Sequence, residues 1–153
     1  MTFTIEKDIR FEAAHFLPHH EGQCKEPHGH SWVAIVGIRG KKLQRAEKPA
    51  AMMKGYRGAR PWRGSYSFDS KGMDGMLYDL GHLGRVLKAI RVQYLDHKHL
   101  NQSLGILSPT SEEVALFIWR KVREALTDDL KALGLHVAYV KVNETCTGRA
   151  IVS

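Results

Sequence analysis

The sequence predicts an α+β domain in which two helices pack on one face of an antiparallel sheet. Three observations indicate this class. Strand-like segments occur in pairs near both ends of the chain, two amphipathic helical segments lie between the pairs, and no segment is repeated. The predicted order is strand, strand, long loop, helix, helix, strand, strand. A chain of 153 residues is long enough for one domain with a hydrophobic core, so residues 1–153 are expected to form a single domain.

The first pair of strands is predicted at residues 2–13 and 31–39. The first segment mixes apolar with charged residues, and the second is rich in β-branched residues and too short to need a helix. The last pair is predicted at residues 135–142 and 146–152, with a turn near residues 143–145.

Two helices are predicted between the strand pairs. The first begins after Asp79, a favourable N-cap residue. The second begins after Pro109, where Thr110 can cap the helix and Glu113 can reach back to it. Apolar residues then recur along one face of each helix. They are Leu83, Leu87, Ile90 and Tyr94 in the first helix and Val114, Ile118, Val122 and Leu126 in the second.

The segment between the second strand and the first helix is rich in glycine and proline and lacks a sustained period, which predicts a long loop with a short helix near residues 50–53. Residues 41–74 carry nine lysine or arginine side chains and three acidic ones, and their net charge of +6 accounts for most of the +7 of the whole chain. The basic character therefore belongs to one segment and is not a property of the fold.

Histidines concentrate in residues 15–30. His28 and His30 open a predicted strand, where side chains two residues apart point to the same face. A hairpin through residues 16–27 would bring His15 alongside them. Three neutral imidazoles at about 2.0–2.1 Å from zinc, with a fourth position open, are typical of a catalytic site. The alternative is that all these histidines are solvated surface residues, which is the interpretation we prefer for His19 and His20.

Cys24 lies four residues before His28 and has two interpretations. As a fourth ligand it would close the site and make it structural. As a thiolate beside a metal ion it would serve as a base. A disulfide with Cys146 is not expected, because the N-terminus lacks the apolar stretch of a secretion signal and a cytoplasmic, reducing location is predicted.

Two further polar groups are candidates for chemistry. Asp96 precedes His97, and a neighbouring carboxylate can orient an imidazole for proton transfer. Glu144 lies between the last two strands, where a carboxylate can accept two N–H donors from one ligand. Each has a simple alternative, since a solvated helix end and a structural turn would give the same sequences.

Taken together, these motifs resemble the 6-pyruvoyl-tetrahydropterin synthase/QueD family, whose motifs they match in order over nearly the whole chain outside about residues 41–72. The matching segments are Phe11-Glu12-Ala13-Ala14-His15, Cys24-x3-His28-Gly29-His30, Gly75-Met76-Leu77-Tyr78-Asp79-Leu80, Leu95-Asp96-His97 with Leu100-Asn101, Pro109-Thr110-Ser111-Glu112 and Glu144-Thr145-Cys146-Thr147. Residues 41–72 form a basic loop insertion where the family usually has a short connection.

The resemblance implies a tunnelling fold whose subunits assemble into a barrel, a hexamer or a tetramer, with active sites at subunit interfaces. It implies that His15, His28 and His30 bind Zn²⁺. Carried over position by position, Cys24 would be the general base, His97 held by Asp96 would relay protons, and Glu144 would anchor a pterin triphosphate. The three-residue spacer after Cys24 and the Glu144-Thr145-Cys146-Thr147 string favour the QueD branch.

The reaction implied for that branch converts 7,8-dihydroneopterin triphosphate to 6-carboxy-5,6,7,8-tetrahydropterin, with release of acetaldehyde and triphosphate, in queuosine biosynthesis. The alternative within the family is the pyruvoyl-forming synthase. A distant, non-enzymatic alternative is nucleic-acid binding by the basic loop, in which aromatic and basic residues are interleaved. The loop itself is interpreted either as a solvated insertion or as an electrostatic aid that attracts the triphosphate. No membrane-spanning segment is predicted.

Overall fold

The computed structural model describes residues 1–44, 73 and 75–153. The proposed short helix at residues 50–53 and the basic insertion beyond residue 44 lie outside the described residues. Within them the chain forms five strands and three α-helices. These are β1 Phe3–His15, β2 His28–Gly40, α1 Leu80–Ile90, β3 Lys98–His99, α2 Leu100–Ser103, α3 Ser111–Leu133, β4 His136–Asn143 and β5 Arg149–Val152.

The strands form one sheet in the order β3-β1-β2-β4-β5. The predicted hairpin is confirmed, because β1 and β2 pair antiparallel along their whole length, from Phe3 opposite Gly40 to His15 opposite His28. Both strands are longer than predicted at the hairpin end. The two-residue strand β3 was not predicted, and it differs from the antiparallel rest of the sheet because it pairs parallel with β1 at the edge.

Both predicted helix starts are confirmed. The Asp79 carboxylate accepts a hydrogen bond from the Gly81 N–H, and the Thr110 hydroxyl accepts one from the Glu113 N–H, so each helix has one of its unpaired backbone donors satisfied. Helix α1 continues into a π-helical turn at Arg91–Leu95, which ends at Asp96. The chain thereby reverses at the Asp96-His97 pair and returns as β3.

The hydrophobic core lies between one face of the sheet and helices α1 and α3. Buried side chains alternate along each strand, and the apolar stripe of each helix faces them. On the opposite face, side chains of β1 such as Glu6, Asp8 and Arg10 are exposed. The expected arrangement of helices on one face of the sheet, and with it the α+β class, is confirmed.

No helix among residues 1–44 and 75–153 combines the length and the apolar composition needed to cross a membrane.

Candidate metal centre and active site

The hairpin register assembles the three predicted histidine ligands. His15 lies directly opposite His28, and His30 lies opposite Ala13 two residues further along β2. Glu144, which follows β4, joins them. One ligand atom from each of these four residues lies within 4.8 Å of all the others. Strand parity and the hairpin account for the convergence of the three histidines, which the family resemblance implied as a ligand set, and the structure adds the carboxylate of Glu144.

Backbone carbonyl groups fix the orientation of two of the imidazoles. His15 Nδ1 lies 2.8 Å from the Pro109 carbonyl oxygen, and His28 Nδ1 lies 2.7 Å from the Glu26 carbonyl oxygen. A carbonyl can only accept, so each Nδ1 carries the hydrogen. In the neutral ring the lone pair is then on Nε2, and hydrogen bonds of this kind are common for histidines that ligate metals.

The three Nε2 atoms converge, and those of His15 and His28 carry no hydrogen in their neutral rings. His15 Nε2 is 3.0 Å from His28 Nε2 and 3.1 Å from Glu144 Oε1. His30 Nε2 is 3.6 Å from the same carboxylate oxygen. It is also buried, with no hydrogen-bond partner in the described part of the chain. Electron-rich atoms this close together require a cation between them, which is either a proton or a metal ion.

Burial argues against the proton at His15. This side chain is 0% exposed, and desolvation lowers its pKa, although the Pro109 hydrogen bond and the Glu144 charge partly oppose that effect. A neutral His15 remains a ligand for a metal ion. The buried Nε2 of His30 and the carbonyl-oriented rings of His15 and His28 therefore fit a divalent metal, and this cluster can bind one.

Trp32 supports the cluster from beneath. Its ring is fully buried and meets the rings of His15 and His30 edge-on, at centroid distances of 5.0 and 5.6 Å. Its indole N–H donates to the Ala13 carbonyl at 3.2 Å. The sequence analysis missed this role, although the signal was present: Trp32 continues the same-face spacing of His28 and His30.

Cys24 lies in the connection between β1 and β2 and is not part of the cluster. It lies in a 3₁₀ turn, Gln23–Lys25, and its carbonyl accepts a hydrogen bond of 2.8 Å from Leu17 N, two residues beyond His15. Glu26, just after this turn, supplies the carbonyl that orients His28. Of the described residues, the ligand atoms that converge include no thiol, which does not support the closed, structural interpretation of the site. Cys24 and Cys146 are both unpaired.

Asp96 and His97 form the expected pair. His97 Nδ1 lies 3.2 Å from Asp96 Oδ1, and its side chain is 81% exposed. Asp96 also accepts from the Glu12 N–H at 3.1 Å and pairs with Arg91 at 3.1 Å. The Glu12 hydrogen bond and the Arg91 charge hold the pKa of Asp96 below its usual value, so the carboxylate remains ionised beside His97.

The backbone of His97 has a positive φ of 56°, which is unfavourable for a residue other than glycine. A hydrogen bond of 2.7 Å from its N–H to the Glu12 carbonyl secures this conformation. Unfavourable backbone geometry of this kind is concentrated at functional sites.

A groove of about 560 Å³ is lined by His97 and by one member of the histidine cluster. It runs across the end of the β1–β2 hairpin and reaches His30, a member of the cluster. This volume is within the range of small-molecule sites. Its lining residues are Glu12, Ala13, Ala14, Gly29, His30, Ser31, His97, Lys98 and His99.

Comparison with known proteins agrees with this geometry. The family model described as 6-pyruvoyl tetrahydropterin synthase matches residues 4–53 and 62–153. A curated relative from Synechocystis, 6-carboxy-5,6,7,8-tetrahydropterin synthase, is 38% identical over 95% of this chain and 89% of its own length. The protein of the same name from Haemophilus influenzae is 28% identical, covering 79% of this chain and 82% of that protein.

Solved structures show the same fold. The 6-pyruvoyl tetrahydropterin synthase of Caenorhabditis elegans superposes with a TM-score of 0.69 at 21% identity, covering 100% of this chain and 96% of the other. That of Plasmodium vivax superposes with a TM-score of 0.64 at 17% identity, covering 99% and 97%. At such identities the likeness concerns the fold and does not distinguish carboxy-forming from pyruvoyl-forming enzymes. The sequence match, the fold and the histidine cluster together show that this chain belongs to the 6-pyruvoyl tetrahydropterin synthase family.

Proposed function

We propose that this chain is a lyase of the 6-carboxy-5,6,7,8-tetrahydropterin synthase type and acts in queuosine biosynthesis. With one water, 7,8-dihydroneopterin triphosphate would yield 6-carboxy-5,6,7,8-tetrahydropterin, acetaldehyde and triphosphate. The histidine cluster at the end of the hairpin carries this proposal. The names of the Synechocystis and Haemophilus relatives support the carboxy-forming branch.

The metal in the cluster is proposed to be zinc, held by His15, His28 and His30. Imidazole ligands suit zinc, and three of them leave a position open for substrate. When bound, zinc supplies a Lewis acid that polarises oxygen atoms of the substrate side chain. The Nδ1 hydrogen bonds of His15 and His28 keep both rings aimed at that position.

Proton transfers are assigned to Cys24 and to the Asp96–His97 pair. Cys24 would remove a proton from the substrate side chain, and its place in the turn between His15 and His28 supports this role. His97 would return protons as triphosphate leaves. Its exposed ring lines the same groove as His30, and Asp96, 3.2 Å from its Nδ1, orients the ring.

Glu144 is proposed to anchor the pterin ring by accepting N–H donors. Because its carboxylate lies beside His15 and His30, a pterin held there would have its side chain next to the metal ligands. The same location makes Glu144 Oε1 a candidate fourth metal ligand until substrate enters.

We also propose a cytoplasmic homo-oligomer, a hexamer or a tetramer, with active sites at subunit interfaces. The exposed sheet face opposite the helices and the exposure of His97 support assembly, since a second subunit can cover both. Native mass spectrometry of the zinc-loaded protein distinguishes these states. A monomer that is fully active would contradict this part of the proposal.

Substitution of Cys24 separates its two interpretations. Cys24→Ala is expected to lower kcat by about 10²–10⁴-fold, the usual contribution of a general base, while zinc content stays at the wild-type value. Cys24→Ser is a second variant, in which the side chain is nearly isosteric and the turn is kept. Loss of zinc from both variants, measured by metal analysis after gel filtration, would favour the structural-ligand interpretation.

Product analysis tests the function as a whole. Zinc-loaded protein is incubated with 7,8-dihydroneopterin triphosphate, and the products are identified by mass spectrometry. A 6-carboxy pterin with acetaldehyde is expected. A pyruvoyl pterin without acetaldehyde would move the chain to the sister branch. No turnover by zinc-loaded protein would contradict both, and salt-sensitive RNA binding in its place would favour the nucleic-acid alternative.

A further inference from the structure

The side chain of Asn101 makes three hydrogen bonds to backbone groups close to the metal cluster. Its Oδ1 accepts from the Phe16 N–H at 3.0 Å. Its Nδ2 donates to the Phe16 carbonyl at 2.9 Å and to the Leu107 carbonyl at 2.7 Å. A primary amide has two donor hydrogens and one acceptor oxygen, so both hydrogens and the oxygen are used.

The first two bonds fix the chain directly after His15. Strand β1 ends at His15, and its pairing with β3 ends one residue earlier, at Ala14 opposite His99. Asn101 lies two residues after the end of β3 and bonds both the N–H and the carbonyl of Phe16, as a neighbouring strand would. The amide therefore continues the support of β1 past the point where backbone pairing stops.

The third bond fixes the segment that orients His15. Leu107 lies two residues before Pro109, whose carbonyl accepts the hydrogen bond from His15 Nδ1. This segment joins α2 to α3 and includes Gly105 at φ 66° and the exposed Leu107 side chain. Leu104 packs against the core and Pro109 is buried, whereas the side chain of Leu107 between them is exposed. The Asn101 hydrogen bond therefore holds the backbone at a residue whose own side chain does not anchor it.

We propose that Asn101 is a positioning residue for the metal site. One side chain holds the backbone beside His15 and the loop that carries its carbonyl partner, and thereby keeps His15 Nε2 aimed at the cluster. The proposal rests on the metal site under the proposed function. Groups that orient a metal ligand are typically worth about 10–100-fold in metal affinity, and we expect the low end of this range because Asn101 acts through Phe16 and Pro109.

Two variants of Asn101 and one control test this role. Asn101→Ala removes all three hydrogen bonds. Asn101→Asp keeps the shape and an acceptor for Phe16 N–H but cannot donate to the two carbonyls. The matched control is Ser103→Ala, which removes a bond of 2.7 Å to the Tyr94 carbonyl from the same helix α2, away from His15.

The measurement is the zinc dissociation constant, obtained by competition with a chelator at a temperature where circular dichroism shows each protein folded. Both Asn101 variants are expected to bind zinc about tenfold more weakly and to show altered visible absorption when loaded with Co²⁺. The Ser103 variant should match wild type in both. Unchanged zinc affinity and an unchanged cobalt spectrum in a folded Asn101→Asp protein would overturn the proposal, even if its melting temperature falls.

The readout needs no substrate, so it separates this inference from the proposed reaction. If the wild-type protein binds zinc but turns over no pterin, and Asn101→Asp weakens that zinc binding, Asn101 keeps its positioning role and the lyase function is removed. Wild-type protein that binds no zinc would overturn both.

Discussion

The two ends of strand β2 differ in how their polar groups are held. At the first end, His28 and His30 belong to a cluster in which His28 donates to the Glu26 carbonyl and His15 donates to the Pro109 carbonyl. Asn101 holds the backbone of Phe16, directly after His15. At the last end, the described residues that line a groove of about 540 Å³ include several cationic side chains and no acidic one. Its lining residues are Thr2, Arg39, Gly40, Lys41, Lys42, Lys131, Ala132, Leu133, Gly134 and His136.

This difference shows which end of the fold is organised for chemistry. At the first end, His15 is buried, and the Nδ1 partners of His15 and His28 fix the direction of the Nε2 lone pair in both rings. At the second end, the only side-chain hydrogen bond recorded for the basic groups among the described residues runs from Arg39 to Thr4, at 3.0 Å. Substitutions at the first end should therefore change metal or substrate binding, whereas matched substitutions at the second end should change only stability or neither property.

Removal of one histidine at each end gives the largest contrast. His28→Ala deletes a ligand and should weaken zinc binding more than the roughly 100-fold upper range for groups that only orient ligands, with turnover lost in parallel. His136→Ala, at an exposed position of β4, should leave both unchanged. Zinc competition titrations provide the measurement, and equal affinities in the two variants would remove His28 from the site.

A large core side chain at each end gives the next contrast. Trp32 and Ile38 are both fully buried on β2. Trp32→Ala should cost about 3–5 kcal/mol and Ile38→Ala about 2–5 kcal/mol of unfolding free energy, measured by urea denaturation. Only Trp32→Ala should also weaken zinc binding in the protein that remains folded, because it removes the support under His15 and His30. Equal zinc affinity in both variants would show that Trp32 acts through stability alone.

Local rules predicted that the three histidines can lie together, and the family resemblance singled them out as ligands. Strand parity places His28 and His30 on one face, and a hairpin places His15 beside them. The long-range partners follow no such rule. The Pro109 carbonyl and the Asn101 amide are separated from His15 by more than 80 residues, and their pairing depends on how α2 and α3 pack.

The missed elements also have physical reasons. Strand β3 is two residues long, too short for an alternating pattern to be recognised. The π-helical turn that ends α1 keeps the apolar character of the helix, so the sequence predicts a continuous helix up to Tyr94. The last strand starts at Arg149 and not at residue 146, because the Thr145 hydroxyl accepts from the Gly148 N–H at 2.9 Å and forms a turn.

A glycine at each end gives a smaller contrast, in which one substitution changes KM and the other changes stability. A Cβ atom at Gly29 would meet only the Ala13 carbonyl at 3.8 Å, whereas one at Gly40 would collide with the side chain of Leu135. Gly29→Val should fold normally but fill the groove, raising KM roughly tenfold, or about 1.4 kcal/mol. Gly40→Val should leave KM unchanged and cost about 1–3 kcal/mol of stability through overpacking. Unchanged KM in Gly29→Val would show that substrate does not use the groove.

Charge reversal at the second end should have the smallest effect. Lys41 follows His30 by 11 residues, a path of roughly 36 Å at about 3.3 Å per residue of strand. That distance exceeds the screening length of about 8 Å at physiological salt. Lys41→Glu with Lys131→Glu should therefore leave kcat/KM unchanged within about twofold and stability within about 0.5 kcal/mol. A large, salt-dependent loss of kcat/KM would instead support attraction of the triphosphate by this region.

The most direct test is a crystal structure of the zinc-loaded protein with anomalous data collected at the zinc edge. We predict a zinc ion bonded to Nε2 of His15, His28 and His30, at about 2.0–2.1 Å, with the Cys24 sulfur unbonded and the fourth position taken by Glu144, water or substrate. Zinc bonded to Cys24, or located away from the three histidines, would contradict a catalytic metal site at this end of the sheet.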